Sequence, residues 1–210
     1  MKGTVFSVAL NHRSQIDAWD QVFHEPPYNT PPKTPVWFIK PRNTHLANGG
    51  AIPFPAGEKV QSGATLAVVI GDTARKVPAE RVADYLAGYA LANDVSLPES
   101  SFYRPAIKAK CRDGFCPLGD IGQLSATGKL EIVTEINGVE RDRWSTADLV
   151  RSVPELIAAI SDFITLQPGD AVLIGTPHQR VDLNPGDEVT VRAAGLPTLT
   201  NRVTQAGALS

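Results

Sequence analysis

The chain has little of what several classes of protein require. Two cysteines, Cys111 and Cys116, are too few for a disulfide scaffold or a zinc site. The net charge is −2 without blocks of like charge, which argues against binding to nucleic acid or to a membrane surface. No apolar run approaches the roughly 20 residues of a membrane span. The apolar segment that follows Met1 is too short for a signal peptide. We therefore expect a cytoplasmic protein with reduced thiols.

Length and composition favour a single folded domain. The 210 residues contain 42% hydrophobic residues, enough for one sizeable core, and no repeat or low-complexity tract divides them. We therefore expect one domain over residues 1–210. Residues 24–35 contain five prolines, which rule out regular structure and predict a lid over a site or a linker.

Strands dominate the predicted secondary structure. The buried-strand pattern is clearest in Leu66–Ile70, and Asn137-Gly138 predicts a hairpin turn. The other segments that we expect to be extended are Val5–Leu10, Val36–Lys40, Ala106–Lys110, Leu130–Ile136, Val139–Arg143, Ala171–Ile174, Glu188–Ala193 and Thr198–Val203. Helices are expected over Gln15–Val22, from Pro78 to about Asn93, and over Val153–Ile164. The fold class is therefore strand-dominated α+β.

Asp94 is the residue that invites a functional interpretation. It lies among the turn formers Asn93-Asp94-Val95-Ser96, directly after the helix predicted from the spacing of Val82, Tyr85, Leu86 and Tyr89. A strand and a helix would thus deliver one carboxylate to a loop. A turn or capping role is the alternative.

Seven motifs give the chain a specific resemblance. In chain order they are ALNHRSQ, WFIKPRNT, VVIG, GYALANDVS, KAKCRDGFCPLG, TEINGVERDRWSTADL and TLQPGDAVLIGTP. Together, from about Val5 to Val203, they resemble the fumarylacetoacetate hydrolase family. The resemblance implies a mixed β-sandwich roll with the site at its open end. Within the family it points to a branch that acts in 4-hydroxyphenylacetate degradation, by decarboxylating 5-oxopent-3-ene-1,2,5-tricarboxylate and isomerising 2-hydroxyhepta-2,4-diene-1,7-dioate.

The resemblance also implies a metal site, from which this sequence departs. Family members hold Mg²⁺ or Mn²⁺ through Glu-x-Glu on a strand and the Asp of the Asn-Asp turn. Asp94 fills the third position, but Gly63 and Thr65 stand where the two glutamates would be. Neither can supply a carboxylate, so we expect Asp94 to be a residual ligand and metal binding to be weak or absent.

A second family motif, which moves protons through a His–Glu pair, is also incomplete. Asn11 matches its first residue and is expected to contact substrate, whereas Gln15 and Ala18 replace the His and the Glu. His12 could still act as a catalytic base. The alternative is a surface histidine near the end of a strand.

Further residues match positions that line the family's site. Lys110 and Asp94 are the expected catalytic pair, and Lys40, Arg104, Asp113 and Thr176 are expected to contact a small-molecule oxo or hydroxy polycarboxylate. The alternative for each lysine and arginine is a solvated surface position.

Two hypotheses about function therefore remain, together with a lesser third. The chain is either an enzyme subunit with a degenerate metal site, or a catalytically silent scaffold for a complete, metal-binding partner. The partner would be a C-terminal-type subunit or further copies of this chain. The third possibility is a free-standing protein that binds 2-oxo acids.

Overall fold

The computed structural model describes residues 3–99, 101–102 and 105–205. Within these residues there are fourteen strands, three α-helices and three short 3-10 helices. The strands are β1 Val5–Ala9, β2 Val36–Lys40, β3 His45–Ala47, β4 Ala51–Phe54, β5 Val60–Ser62, β6 Ala64–Ile70, β7 Leu86–Asn93, β8 Cys116–Leu118, β9 Glu131–Ile136, β10 Val139–Ser145, β11 Ala171–Leu173, β12 Val181–Leu183, β13 Glu188–Arg192 and β14 Leu199–Gln205. The α-helices are α1 Arg13–Phe23, α2 Ile107–Lys110 and α3 Val153–Ser161; the 3-10 helices are Arg42–Thr44, Ala79–Tyr85 and Thr146–Asp148.

The strands form two large mixed sheets and one small one. The seven-stranded sheet has the order β2-β1-β11-β6-β7-β8-β3, and the five-stranded sheet has the order β10-β9-β13-β14-β4. Most neighbours are antiparallel, but β1 pairs with β11, β3 with β8 and β14 with β4 in parallel. Strands β12 and β5 form the small sheet. The predicted strand-dominated α+β class is confirmed.

The main core lies where the seven-stranded sheet faces helix α3 and the five-stranded sheet. Leu66, Val68 and Ile70 of β6 point into it and are fully buried. Because side chains alternate along a strand, Ala67 and Val69 point to the opposite face, where a second cluster of mostly small residues is also buried. Strand β6 is therefore covered on both faces, as its continuous apolar run predicts.

The helix predicted from Pro78 to about Asn93 is wrong. Only Ala79–Tyr85 is helical, as a 3-10 helix, and Leu86–Asn93 is strand β7 paired antiparallel with β6. The residues from Ala90 to Asn93 are buried on both faces of the sheet, so their apolar pattern has no strand period. Gly88, with a φ of 144°, adopts a backbone conformation foreign to a helix.

One further segment differs from the expectation. Ile107–Lys110 is not extended but forms one helical turn, in which the Lys110 amide donates to the Ala106 carbonyl at 2.9 Å. This turn brings the Lys110 side chain back into the protein, where it is 3% exposed. The hairpin at Asn137-Gly138 and helix α3 are confirmed. Within the described residues, no helix is both long enough and apolar enough to cross a membrane.

The proline-rich segment leads from α1 to β2 without regular structure. Its Tyr28 hydroxyl lies 2.9 Å from the Ser101 hydroxyl and accepts a hydrogen bond from the Phe102 amide at 2.9 Å. The segment thus lies against the loop after Glu99. Its role as a lid or linker, and the single-domain assignment, stay predictions.

Candidate functional site

Asp94 directly follows strand β7, where two hydrogen bonds to the Gly63 backbone fix the turn. Its amide donates to the carbonyl of Gly63 at 2.8 Å, and the side chain of the preceding Asn93 accepts from the Gly63 amide at 2.8 Å. The Asp94 side chain is 3% exposed. A carboxylate buried this deeply requires positive charge close by.

Three cationic side chains supply that charge. Lys40 Nζ lies 2.9 Å from Asp94 Oδ1, while Lys110 Nζ and Arg180 Nη2 lie 2.7 Å and 3.0 Å from Oδ2. They come from three different parts of the chain: the end of β2, the short helix α2 and the loop before β12. We call Asp94 with these three residues and Glu99 the Asp94 cluster.

Lys40 is fully engaged inside the protein. Its ammonium group donates to the carbonyls of Val95 at 3.1 Å and Lys110 at 2.8 Å, and its side chain is 0% exposed. Its contact with Asp94 Oδ1 at 2.9 Å is an ion pair that lacks the alignment of a hydrogen bond. Oδ1 accordingly has no hydrogen bond from the described residues. Lys40 therefore ties β2 to the cluster.

Lys110 is held by two carboxylates and an aromatic ring. Its ammonium donates to Asp94 Oδ2, lies 3.1 Å from Glu99 Oε2 and stands 5.0 Å from the centre of the Phe38 ring. Phe38 and Lys40 are two residues apart on β2 and so point to the same face of that strand. The predicted proximity of Lys110 and Asp94 is confirmed.

Arg180 reaches the cluster from the loop before β12. Because Val181 pairs with Ser62 in the small antiparallel sheet, Arg180 falls opposite Gly63. Its Nη1 donates to the Asp94 carbonyl at 2.6 Å and its Nη2 donates to the Thr176 hydroxyl at 2.9 Å. The arginine side chain is only 9% exposed.

The charges decide the ionisation of the cluster. Burial alone would raise the pKa of Asp94, but the positive charges of Lys110, Lys40 and Arg180 outweigh it and hold that pKa well below the usual range. Burial, aided by the charge of Arg180, lowers the pKa of Lys110, although Asp94 and Glu99 oppose the shift. Asp94 is thus a carboxylate at neutral pH.

The residues around Asp94 do not fit a divalent metal ion. Gly63 supplies no side chain, and the buried Thr65 hydroxyl donates to the Gly175 carbonyl at 2.6 Å. The guanidinium of Arg180 forms an ion pair with Asp94, the carboxylate that a metal ion would need as a ligand. Among the described residues, no group of three His, Cys, Asp or Glu side chains comes together in a way that could hold a metal.

Two of the openings that border the cluster bear on its chemistry. A polar cleft of about 530 Å³ is bordered by Arg180, Glu99, Ser96, Gln15 and His178, among others. An apolar groove of about 540 Å³ runs along edge strand β2 and has Lys110 and Glu99 in its wall. Glu99 is thus the carboxylate that borders both, and the cleft gives a small acid access to Arg180.

His12 is buried rather than on the surface. It caps helix α1, because its Nδ1 accepts a hydrogen bond from the Ser14 amide at 3.2 Å. The neutral ring therefore carries its proton on Nε2, which is buried and has no hydrogen-bond partner among the described residues. The ring meets Trp144 edge to face at 5.4 Å. Burial lowers the pKa of His12, although Asp148 and Asp17 act in the opposite direction. A role as base stays a prediction.

The remaining predicted site residues lie in different surroundings. Asn11 holds the Arg151 and Ile174 backbone through both ends of its side-chain amide. Asp113 is exposed and accepts from Asn43 at 2.7 Å. Arg104 lies outside the described residues. Their roles in substrate binding stay predictions, whereas Thr176 does lie in the cluster's hydrogen-bond network.

Sequence reasoning missed Arg180, Glu99 and Ser96. Arg180 follows the family-like turn Gly175-Thr176-Pro177 by a few residues, and Glu99 follows Asp94 by five. Both are charged residues close to matched motifs, which is the signal that could have marked them. Their inward direction is not visible in any periodic pattern, because both lie in loops.

Comparison with known proteins agrees with this architecture. The family described as fumarylacetoacetate (FAA) hydrolase C-terminal matches residues 4–204. Over 203 residues the chain is 64% identical to the 4-hydroxyphenylacetate degradation bifunctional isomerase/decarboxylase of Salmonella dublin, a match that covers 97% of this chain and 47% of that protein. The chain spans about half the length of the curated relatives to which it is 61–64% identical.

Solved structures share the fold. The 2-hydroxyhepta-2,4-diene-1,7-dioate isomerase from Mycobacterium marinum superposes with a TM-score of 0.82 at 31% identity, covering 97% of this chain and 75% of that one. The maleylpyruvate hydrolase from Sphingobium sp. SYK-6, in complex with manganese(II) and pyruvate, has a TM-score of 0.80 at 25% identity over 97% of this chain and 70% of its own. Metal-binding proteins therefore share this fold. Fold, motifs and sequence identity together show that the chain belongs to the fumarylacetoacetate hydrolase family.

Proposed function

We propose that this chain is one half of an enzyme that decarboxylates 5-oxopent-3-ene-1,2,5-tricarboxylate and isomerises 2-hydroxyhepta-2,4-diene-1,7-dioate. The proposal is supported by the 64% identity to a bifunctional isomerase/decarboxylase of which this chain spans 47%. We thus propose that an assembly containing this chain has the same activity as that relative. A cytoplasmic location remains a prediction of the sequence.

Within that assembly, we propose a degenerate site for this half. Loss of carbon dioxide from a 2-oxo acid leaves an electron pair that must be stabilised as an enolate, which is an electrostatic task. The observation that carries the proposal is the Asp94 cluster, in which the three cations already bind carboxylates and carbonyls of the protein. Cations committed in this way have little capacity left for a new enolate. The metal-dependent chemistry then belongs to a partner half that carries the full set of carboxylates.

An exposed apolar face supports the presence of a partner. Ile39, Ile107 and Phe163 are 50%, 65% and 58% exposed and line the same groove beside edge strand β2. Isolated apolar side chains on a surface are ordinary, but several around one groove favour a covered surface. We propose that the second half of the assembly covers this groove.

The alternative function is that this half itself performs one of the two reactions without a metal ion. The polar cleft favours it, because Arg180 borders a space open to a small acid. The cluster also holds one more cation than carboxylates. An oxo or hydroxy polycarboxylate is the expected ligand there. Arg180 would then stabilise the enolate charge from the wall of the cleft, and Glu99 would border the substrate.

Turnover by the purified chain distinguishes the two. Decarboxylation and isomerisation are followed by ultraviolet absorbance for the chain alone in chelated buffer, and for the chain mixed with a half that carries Glu-x-Glu. We expect slow reaction alone and normal reaction in the mixture, since removing several members of a catalytic unit costs most of its activity. Equal rates in the two preparations would contradict the degenerate site and establish a metal-free mechanism.

A variant in the mixed assembly tests the scaffold hypothesis. Glu99→Gln removes a charge at the cleft, and Thr176→Val removes the hydroxyl that Arg180 contacts. Unchanged turnover in both assemblies would identify this half as a silent scaffold. A fall in either reaction, with unaltered assembly size, would assign that reaction to this half.

A further inference from the structure

Gly63 and Arg180 share one small space. A Cβ atom placed on Gly63 would lie 2.3 Å from Arg180 Nη1 and 2.9 Å from its Cζ, closer than real side-chain contacts allow. The φ of Gly63 is not among the positive values, so its backbone conformation does not require glycine. Glycine is favoured here because the guanidinium, together with the Asp94 carbonyl oxygen at 2.8 Å, occupies the place of a side chain.

The direction of Arg180 is fixed by more than one contact. Its Nη1 donates to Asp94 O and to Ser96 Oγ at 3.2 Å, and its Nη2 donates to Asp94 Oδ2 and Thr176 Oγ1. The nearby surface carboxylate Asp182 is instead engaged by Lys59 at 2.9 Å and Gln61 at 2.8 Å. Arg180 is therefore directed inward, toward Asp94, and not to the acidic residue two positions along.

We infer that the Arg180 guanidinium is a built-in cation in place of the divalent ion. It stabilises the buried Asp94 carboxylate and occupies the space that a metal-binding side chain at position 63 would need. A guanidinium keeps its charge at every pH at which the protein folds, so this cation is permanent. The inference concerns the charge of the site and stands whether or not the proposed reaction is correct.

Electrostatics favours the same conclusion. The cluster already places Lys40, Lys110 and Arg180 around two carboxylates, and all three cationic side chains are almost fully buried. A divalent ion added beside them would meet repulsion that little water screens. The chain therefore excludes the ion by charge as well as by the loss of ligands. Restoring glutamates alone is not expected to restore binding.

A Mn²⁺ titration tests this exclusion. Four proteins are compared by calorimetry: the parent chain, Gly63→Glu/Thr65→Glu, Arg180→Ala, and the triple variant that combines all three changes. We expect the triple variant to bind Mn²⁺ at least about 100-fold more tightly than the other three, since even supporting residues of a metal site change affinity by that order. Arg192→Ala, which removes a surface guanidinium paired with Glu135, is the matched control in the double-glutamate background.

Two outcomes of the titration would overturn the inference. One is a parent chain that binds Mn²⁺ as tightly as the triple variant. The other is a double-glutamate variant that binds equally well with Arg180 present and absent. Turnover is not measured in this experiment. A result that overturns the inference about Arg180 is therefore distinct from a result that contradicts the proposed function.

A gentler pair of variants covers the case in which the triple variant does not fold. Gly63→Ala is made in the parent chain and in Arg180→Ala, and the four melting temperatures form a double-mutant cycle. We expect Gly63→Ala to lower the melting temperature by several degrees more when Arg180 is present. Some loss remains in both backgrounds, because the new methyl also lies 2.8 Å from the Asp94 carbonyl oxygen. Equal losses would show that Arg180 does not occupy that space.

Discussion

The Lys110 ammonium nitrogen lies 2.7 Å from Oδ2 of Asp94, and both side chains are almost completely buried. A buried ion pair gains little net stability over an apolar pair of the same shape, but removing one partner is costly. The pair therefore makes the candidate site sensitive to single substitutions.

Removal of Lys110 should destabilise the fold moderately. Asp94 keeps Lys40 and Arg180 in Lys110→Met, so we expect a loss of about 3 kcal/mol, at the lower end for a broken buried pair. Urea unfolding followed by tryptophan fluorescence measures the loss. Lys108→Met, on the exposed side of the same helical turn, is the control and should change stability little. A Lys110→Met protein as stable as this control would contradict the central position of the pair.

Removal of Asp94 should cost more than removal of Lys110. Asp94→Asn leaves Lys40, Lys110 and Arg180 close together with only Glu99 to balance them, so we expect a loss of about 5 kcal/mol. The same urea experiment measures it. The loss should shrink at alkaline pH, where a lysine can lose its proton but the arginine cannot. A loss smaller than that of Lys110→Met would show that the cations do not depend on this carboxylate.

His12 should make stability depend on pH. Because its pKa in the folded protein lies below the ordinary 6.5, the unfolded chain takes up the proton first as the pH falls. Neutral His12 therefore contributes to the free energy of unfolding. This contribution is fully present above about pH 6.5, and it is lost as the pH falls from there to the pKa of His12 in the folded protein. Protonation also removes the Nδ1 acceptor that caps α1. Melting temperatures between pH 7.5 and 5 measure the effect, in a range set by the ordinary histidine value.

Two substitutions assign that pH dependence. His12→Asn keeps a good capping side chain but removes the titrating group, so the loss of stability in this window should become smaller. Burial also lowers the pKa of His45, so His45→Asn should remove a separate part of the same pH dependence. If His12→Asn retains the full pH dependence, another group is responsible for it.

Divalent metal should have little effect on the isolated chain. With Asp94 the lone carboxylate left of the family set, we expect Mg²⁺ to bind with a Kd of about 1 mM or weaker, which gives at most about 0.4 kcal/mol of stabilisation at 1 mM. Chelation should likewise leave the melting temperature unchanged. Thermal unfolding with and without Mg²⁺ checks this expectation, and micromolar affinity in calorimetry would contradict it.

The sequence alone predicted the segments whose structure depends on local pattern. The continuous apolar run of Leu66–Ile70 gave a strand buried on both faces, and Asn137-Gly138 gave its hairpin. The apolar face of α3 also identified that helix, which begins with a capping box from Ser152 and Glu155. These features depend on residues close in sequence, so a single sequence contains them. The family motifs added Asp94, Lys110 and the missing glutamates at Gly63 and Thr65.

The tertiary structure decided what depends on partners far away in the chain. Leu86–Asn93 became a strand because β6 offers it hydrogen bonds along its whole length, which outweighs a helical apolar spacing. Arg180 turned inward because the pairing of β12 with β5 places it opposite Gly63, and because buried Asp94 required charge. A loop residue has no periodicity that could report this direction. The sequence therefore identified Gly63 and Thr65 as positions without a carboxylate, and only the three-dimensional packing determined which cations surround Asp94.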